Sequence, residues 1–191
     1  KIFKNQHRHS LFFINYLQIF QLLKESIKKS FSNDEIYLIF RSNKLILLFL
    51  HETKIINITD EEILSDLLKK SDKNNFPYRH YFYPEIKEFV DSETRLKIEH
   101  ELFDNNPYIL NGFFEKRKVG LNDSYISSLI REDSVDEFIL YVNKKNISLD
   151  NEITPSLFET NQFLMAHNPT LIEYSAFYGS IQIFQFLRFN N

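Results

Sequence analysis

The segment Thr170 to Leu187 holds one glycine, Gly179, between apolar stretches that are each long enough for a short helix. That pattern predicts a helix, a tight turn at Gly179 and a second helix running back. Such a pair carries apolar residues on more than one face and cannot bury them alone, so it must stack on similar units. Stacked pairs make an extended surface whose usual work is holding another macromolecule. The segment therefore points to binding rather than catalysis.

An earlier stretch has the same layout. Asp123-Ser124 supplies cap chemistry for Tyr125 to Arg131, a turn falls at Asp133-Ser134, and Val135 to Val142 returns with Phe138, Ile139 and Val142 inward. Between the pairs, residues 143–168 read as an extended connection in which Leu157, Phe158, Phe163 and Leu164 tuck into the stack.

Upstream, Leu11, Ile14, Leu17, Ile19, Phe20, Leu23 and Ile27 recur at helical spacing, and Leu11 to Phe31 is expected as one helix. Ser32-Asn33-Asp34 caps a helix ending at Phe40, and Leu45 to Leu50 forms its antiparallel partner after the polar break at Arg41 to Lys44. Thr59 and Glu62 have capping-box spacing ahead of the stripe Ile63, Leu64, Leu67 and Leu68, which Lys69 and Lys70 close. Tyr78, Tyr81, Phe82 and Tyr83 fall in an irregular connection with Pro77 and Pro84. Glu85 to Val90 and Glu93 to Phe103 read as helices with Ser92 as the cap between them, and Asp104 to Pro107 ends that region. Gly112 and Gly120 flank Lys116-Arg117-Lys118, which reads as an exposed basic loop.

The expected fold class is all-α: stacked antiparallel helix pairs, with residues 1–119 as an irregular helical domain and residues 120–191 as the repeat-like region. Composition agrees, since 20 Phe and 10 Tyr against 3 Gly suit packed helices better than a turn-rich β-sandwich. A net charge of -3 gives no global field for capturing nucleic acid. With no Cys there is no disulfide, thiolate zinc site or thiol nucleophile. Asn15, Gln18 and Gln21 interrupt Leu11 to Leu23, so it lacks the apolar core of a leader, and no run of about 18 apolar residues predicts a membrane span. The expected location is intracellular, in the cytoplasm. Lys1 opens the sequence, Met165 is its one methionine and Asn191 closes it, so it reads as a fragment with further repeats expected beyond Asn191.

Gly179-Ser-Ile-Gln-Ile-Phe184 resembles the Gly-His-x-Glu-Ile-Val core of the ankyrin family. Thr170 is similar to that family's helix-opening threonine, and Ala176 to its small buried position. Residues 116–143 and 156–161 resemble a large protist family of divergent ankyrin proteins, in which a helical DUF3447-type domain precedes further repeats. The likeness covers residues 34–191. This sequence departs from the ankyrin pattern with Glu173 at the histidine position, Leu171 at the proline position and Asp133 in place of the earlier turn glycine. Laid over one another, the turns are 179 − 133 = 46 residues apart, against about 33 for a regular ankyrin repeat, so the excess reads as an insertion. Asp tolerates the left-handed turn conformation better than most residues.

The resemblance implies a protein-binding solenoid with no activity attached. By position it implies that the residues just before each turn, Arg131 and Glu132, Phe177 and Tyr178, face a partner protein on the concave side. An alternative is a nucleic-acid-binding helical repeat using residues 116–118, with Lys24, Lys28 and Lys29 as further cations. No catalytic residue, metal or cofactor is expected. His100-Glu101-Leu102-Phe103-Asp104 has Asp where a helical zinc motif has its second His, and His7, His9 and His80 read as surface or core-edge residues. No phosphate-binding glycine loop is present, and the sequons at Asn57, Asn122 and Asn146 are expected unmodified.

Overall fold

A computed structural model describes residues 17–71, 77–104, 109 and 111–190. Among these the regular structure is all helical, with no strand and only two isolated bridges, Ser71–Pro77 and Glu152–Thr170.

Residues 17–22 are helical and lead through a turn at Leu23 into α1, Lys24–Ser30. The bonds Leu23 N to Ile19 O and Ile27 N to Leu23 O keep the ladder continuous across that turn. The inward face differs from the one expected: Phe20 and Ile27 pack on the core, while Ile19 and Leu23 are exposed. Leu11 and Ile14 lie outside the described residues.

The helix α2, Asn33–Phe40, opens on a capping box between Ser32 and Glu35. In α3, Lys44–Glu52, the Asn43 side chain accepts the first free N–H groups, from Leu45 and Ile46. The capping box expected at Thr59 does not form. Asp60 is the N-cap of α4, Glu61–Lys69, and the Thr59 hydroxyl instead donates to Asn57 Oδ1 at 2.8 Å. The Asp60 carboxylate accepts from the Asn33 and Asn57 amides, which ties the start of α4 to the start of α2.

The aromatic cluster is not irregular. It forms two short helices, α5 (Tyr78–Tyr81) and α6 (Tyr83–Ile86), at the centre of a core with Leu47, Leu50, Ile58 and Leu67. Rings that bury this much apolar area settle in the middle of a fold whatever the local turn signals. The next helix, α7 (Ser92–Phe103), takes its cap from Asp91 rather than Ser92, with Asp91 Oδ1 accepting Thr94 N at 2.9 Å.

The supposed basic loop is also a helix. Left-handed Gly112 and Gly120 begin and end α8, Phe113–Val119. Its middle cation, Arg117, is 1% exposed. Arg117 donates to both Glu85 carboxylate oxygens, at 2.5 and 2.6 Å, and to Tyr81 O at 2.9 Å. Lys116 pairs with Asp123 and Lys118 with Glu52.

Two helix pairs follow: α9 (Tyr125–Glu132) with α10 (Val135–Lys145), and α12 (Leu171–Tyr178) with α13 (Ile181–Asn190). Both turns are left-handed, at Asp133 (φ 53°) and Gly179 (φ 69°). The first helices of the pairs pack on each other, as do the second, around Leu129, Ile130, Phe138, Val142, Tyr174, Ile183 and Leu187. Polar contacts fix the layers: Ser180 Oγ donates to Ile130 O, and the Asp133 carboxylate accepts Gln182 N and Ile183 N, at 3.1 and 3.0 Å. Thr170 and Glu173 form a capping box, so the residue at the histidine position still closes the first turn of α12. Ala176 is exposed, and the small residue that is fully buried there is its neighbour Ser175. Ile183 is buried and Phe186 packs on the Phe138 ring, so α13 is covered on its inner side, while Phe189 is exposed.

Between the pairs, residues 151–160 form a strap and Gln162–His167 form α11. Leu157 and Phe158 do not enter the stack of helix pairs but the first core, while Leu164 enters the second. Lys44 Nζ donates to Leu157 O at 3.1 Å, and Thr160 donates to Gly120 O through its backbone N and its hydroxyl. The strap thus bridges residues on either side of position 119. Among the described residues no helix is long and apolar enough to cross a membrane.

Candidate interaction surface

Arg131 and Glu132 end α9, and Phe177 and Tyr178 end α12. Because these helices pack on each other, the two pre-turn dipeptides meet. Arg131 lies 5.9 Å from the centre of the Tyr178 ring and donates through Nη1 to Tyr174 Oη at 2.8 Å. It is only 8% exposed, and among the described residues its Nε finds no hydrogen-bond partner. The Tyr174 and Tyr178 rings lie 4.8 Å apart, and burial pushes both phenols above their usual range.

Beside this group, Glu159 is buried and accepts N–H bonds from Asn122, Thr160 and Asn161 at 3.2, 2.9 and 2.8 Å. Burial raises its carboxyl above the usual carboxylate range, against those bonds and the charge of Arg131. The cavity shared by Asn122, Ser156, Glu159 and Tyr174 measures about 10 Å³. That is room for one water molecule and not for a substrate.

Further out, the Phe177 ring is half-buried and stacked on Phe163, with centroids 5.9 Å apart and planes 8° from parallel. Its edge meets Tyr178 at 5.1 Å. Phe163 stands in the first turn of α11, where Asn161 Oδ1 caps the N–H groups of Phe163 and Leu164. It is 54% exposed, and His167 lies one turn on with its ring 4.7 Å away.

Of the residues expected to face a partner, then, Glu132 is exposed, Phe177 and Tyr178 are half-buried, and Arg131 is buried beneath Tyr178. Sequence reasoning missed two contributors. Phe163 was expected inside the stack and stands outside it, a placement that the Asn161 cap and the i,i+4 spacing of Phe163 and His167 could have suggested. Tyr174 was not singled out because its partner, Arg131, is 43 residues away.

The remaining candidates do not converge. His100 and Asp104 form an exposed ion pair at 2.9 Å, and His80 shares Glu101 with Arg79. Among the described residues no three His, Cys, Asp or Glu are placed to hold a metal ion. His7 and His9 lie outside the described residues. Compared with known proteins, the chain matches no family model, no curated protein and no solved structure.

Proposed function

We propose that this chain is a non-catalytic module, an ankyrin-like stack of helix pairs that binds a partner protein at Glu132, Phe163, Phe177 and Tyr178. The observation that carries this reading is the aromatic ladder at one end of the stacked pairs, outermost at the 54% exposed Phe163. Large rings on capped helices offer contact area at low entropic cost, and such rings serve as anchors in protein interfaces. Arg131 enters as a support: it holds Tyr174 and Tyr178 from beneath rather than touching the partner.

The nucleic-acid alternative has less support. Arg117 is buried, and Lys116, Arg117 and Lys118 each have a carboxylate partner within the chain. The test is affinity capture from nuclease-treated and untreated lysate with wild-type protein, Phe163→Ala and Glu132→Ala, followed by titration of the purified partner. The reading expects a protein that survives nuclease and binds Phe163→Ala at least about tenfold more weakly, a loss of ~1.4 kcal/mol. A nuclease-sensitive partner indifferent to both variants would favour nucleic acid.

A further inference from the structure

Arg41 is the C-cap of α2, and Lys70 that of α4. With Ser42, Asp66, Lys69 and Ser71 they line an open groove of about 550 Å³. Among the described residues, three cations and one carboxylate line it, a local positive excess in a chain whose net charge is -3. Lys70 is partly engaged, its Nζ lying 4.8 Å from the centre of the Tyr78 ring as well as at the end of α2, which leaves Arg41 and Lys69 as the more available cations. Lys70 Nζ covers Arg41 O, and Gln162 Nε2 covers Ser42 O at 3.2 Å. Asp66 is engaged with the Tyr37 hydroxyl. Among the described residues the Arg41 guanidinium makes no hydrogen bond or ion pair, and Lys69 Nζ donates only to Ser65 Oγ at 3.0 Å. Burial, with Arg41 nearby, holds the Lys70 ammonium below its usual 10.5 against the pull of Asp66, so an incoming anion would find a cation short of counter-charge.

We propose that this groove binds a phosphoryl group carried by a side chain of a partner protein. A guanidinium fork takes two phosphate oxygens at once, the lysines neutralise the remaining charge, and Ser42 and Ser71 are the uncharged polar residues of the lining. The volume suits a phosphorylated side chain with its flanking residues rather than a bare ion. A polyanion is a poorer match, because the whole chain is acidic and, among the described residues, no ring lines the groove for bases to stack on. The groove shares no lining residue with the surface at Phe163, so either could be refuted without the other.

The test is an amide-resolved NMR titration of the labelled chain. The probes are a Gly-Gly-phosphoserine-Gly-Gly peptide, its unphosphorylated form, inorganic phosphate and oligothymidine. The phosphopeptide should move the Ser42, Lys70 and Ser71 amides saturably, with the unphosphorylated form at least about tenfold weaker. Arg41→Gln/Lys69→Gln, which alters only exposed side chains, should remove the saturable shift without changing the melting temperature. Lys116→Gln/Lys118→Gln should leave it intact. The proposal is overturned by equal binding of the unphosphorylated peptide, by inorganic phosphate binding as tightly as the phosphopeptide, by tighter binding of oligothymidine, or by an equal loss in the Lys116/Lys118 variant.

Discussion

Arg117 shows what a buried charge asks of its neighbours. Its guanidinium is held by Glu85 and Tyr81 O, with the Tyr81, Phe113 and Phe114 rings about it at 5.6 to 5.7 Å. Removing only the counter-ion leaves an unpaired charge inside, so Glu85→Leu should lose about 3–5 kcal/mol in urea unfolding, while Arg117→Met/Glu85→Leu recovers most of it. The glycines separate space from backbone strain in the same way. A Cβ on Gly120 would stand 2.7 Å from Leu45 Cδ2 and 2.8 Å from Thr160 Oγ1, whereas one on Gly179 would meet nothing within 4 Å. Both are left-handed, so Gly179→Ala should cost about 1 kcal/mol and Gly120→Ala roughly 3, measured as unfolding free energies. Titration adds a pH dependence. Burial holds His51 and His80 below the usual 6.5, so the unfolded chain takes up protons that the folded chain refuses. Their contribution is intact above about pH 6.5 and is lost as pH falls toward their folded values. The urea midpoint should therefore drop between about pH 7.5 and pH 5.5 by more in the wild type than in His51→Asn/His80→Asn.

At the scale of elements, Asp133 has two roles. Its backbone makes the left-handed turn that closes α9, and its carboxylate caps α13 of the neighbouring pair. Asp133→Ala loses both and should cost about 2 kcal/mol by thermal unfolding, while Asp133→Gly keeps the turn and should cost about 1. The turn was legible in the sequence, because a short polar residue at that point tolerates positive φ. Its second role was not, because the groups it caps lie 49 and 50 residues on. Caps followed the same division. Ser32 with Glu35 could be read locally, but Thr59 with Glu62 misled, since Asn57 captures the Thr59 hydroxyl and Asp60 takes the cap position. Glycines at 112 and 120 suggested a loop, yet left-handed caps at both ends leave seven residues free to make the helix α8. Arg117 was hidden for want of any local sign of Glu85, which is 32 residues away.

For the whole molecule the decisive element is the strap. The helix pairs have their own core, but Leu157 and Phe158 belong to the other one, where the Phe158 ring packs on Phe113 at 5.4 Å. A connection whose Leu157 and Phe158 were expected to tuck into the stack of helix pairs joins the two halves instead, so Phe158→Ala should cost about 3–5 kcal/mol and broaden thermal unfolding of the whole chain, followed by circular dichroism. Helical class and the two helix pairs could be read from periodicity and turn residues. The side of the strap on which each apolar residue would land could not, because that depends on which core has room. The same strap runs into α11, which sets Phe163 beside Phe177. The most direct measurement is hydrogen exchange on the purified partner complex. Protection concentrated in residues 162–167 and 171–178, with residues 113–119 unchanged, is the predicted result. Protection at 113–119 that leaves α11 and α12 untouched would contradict the account.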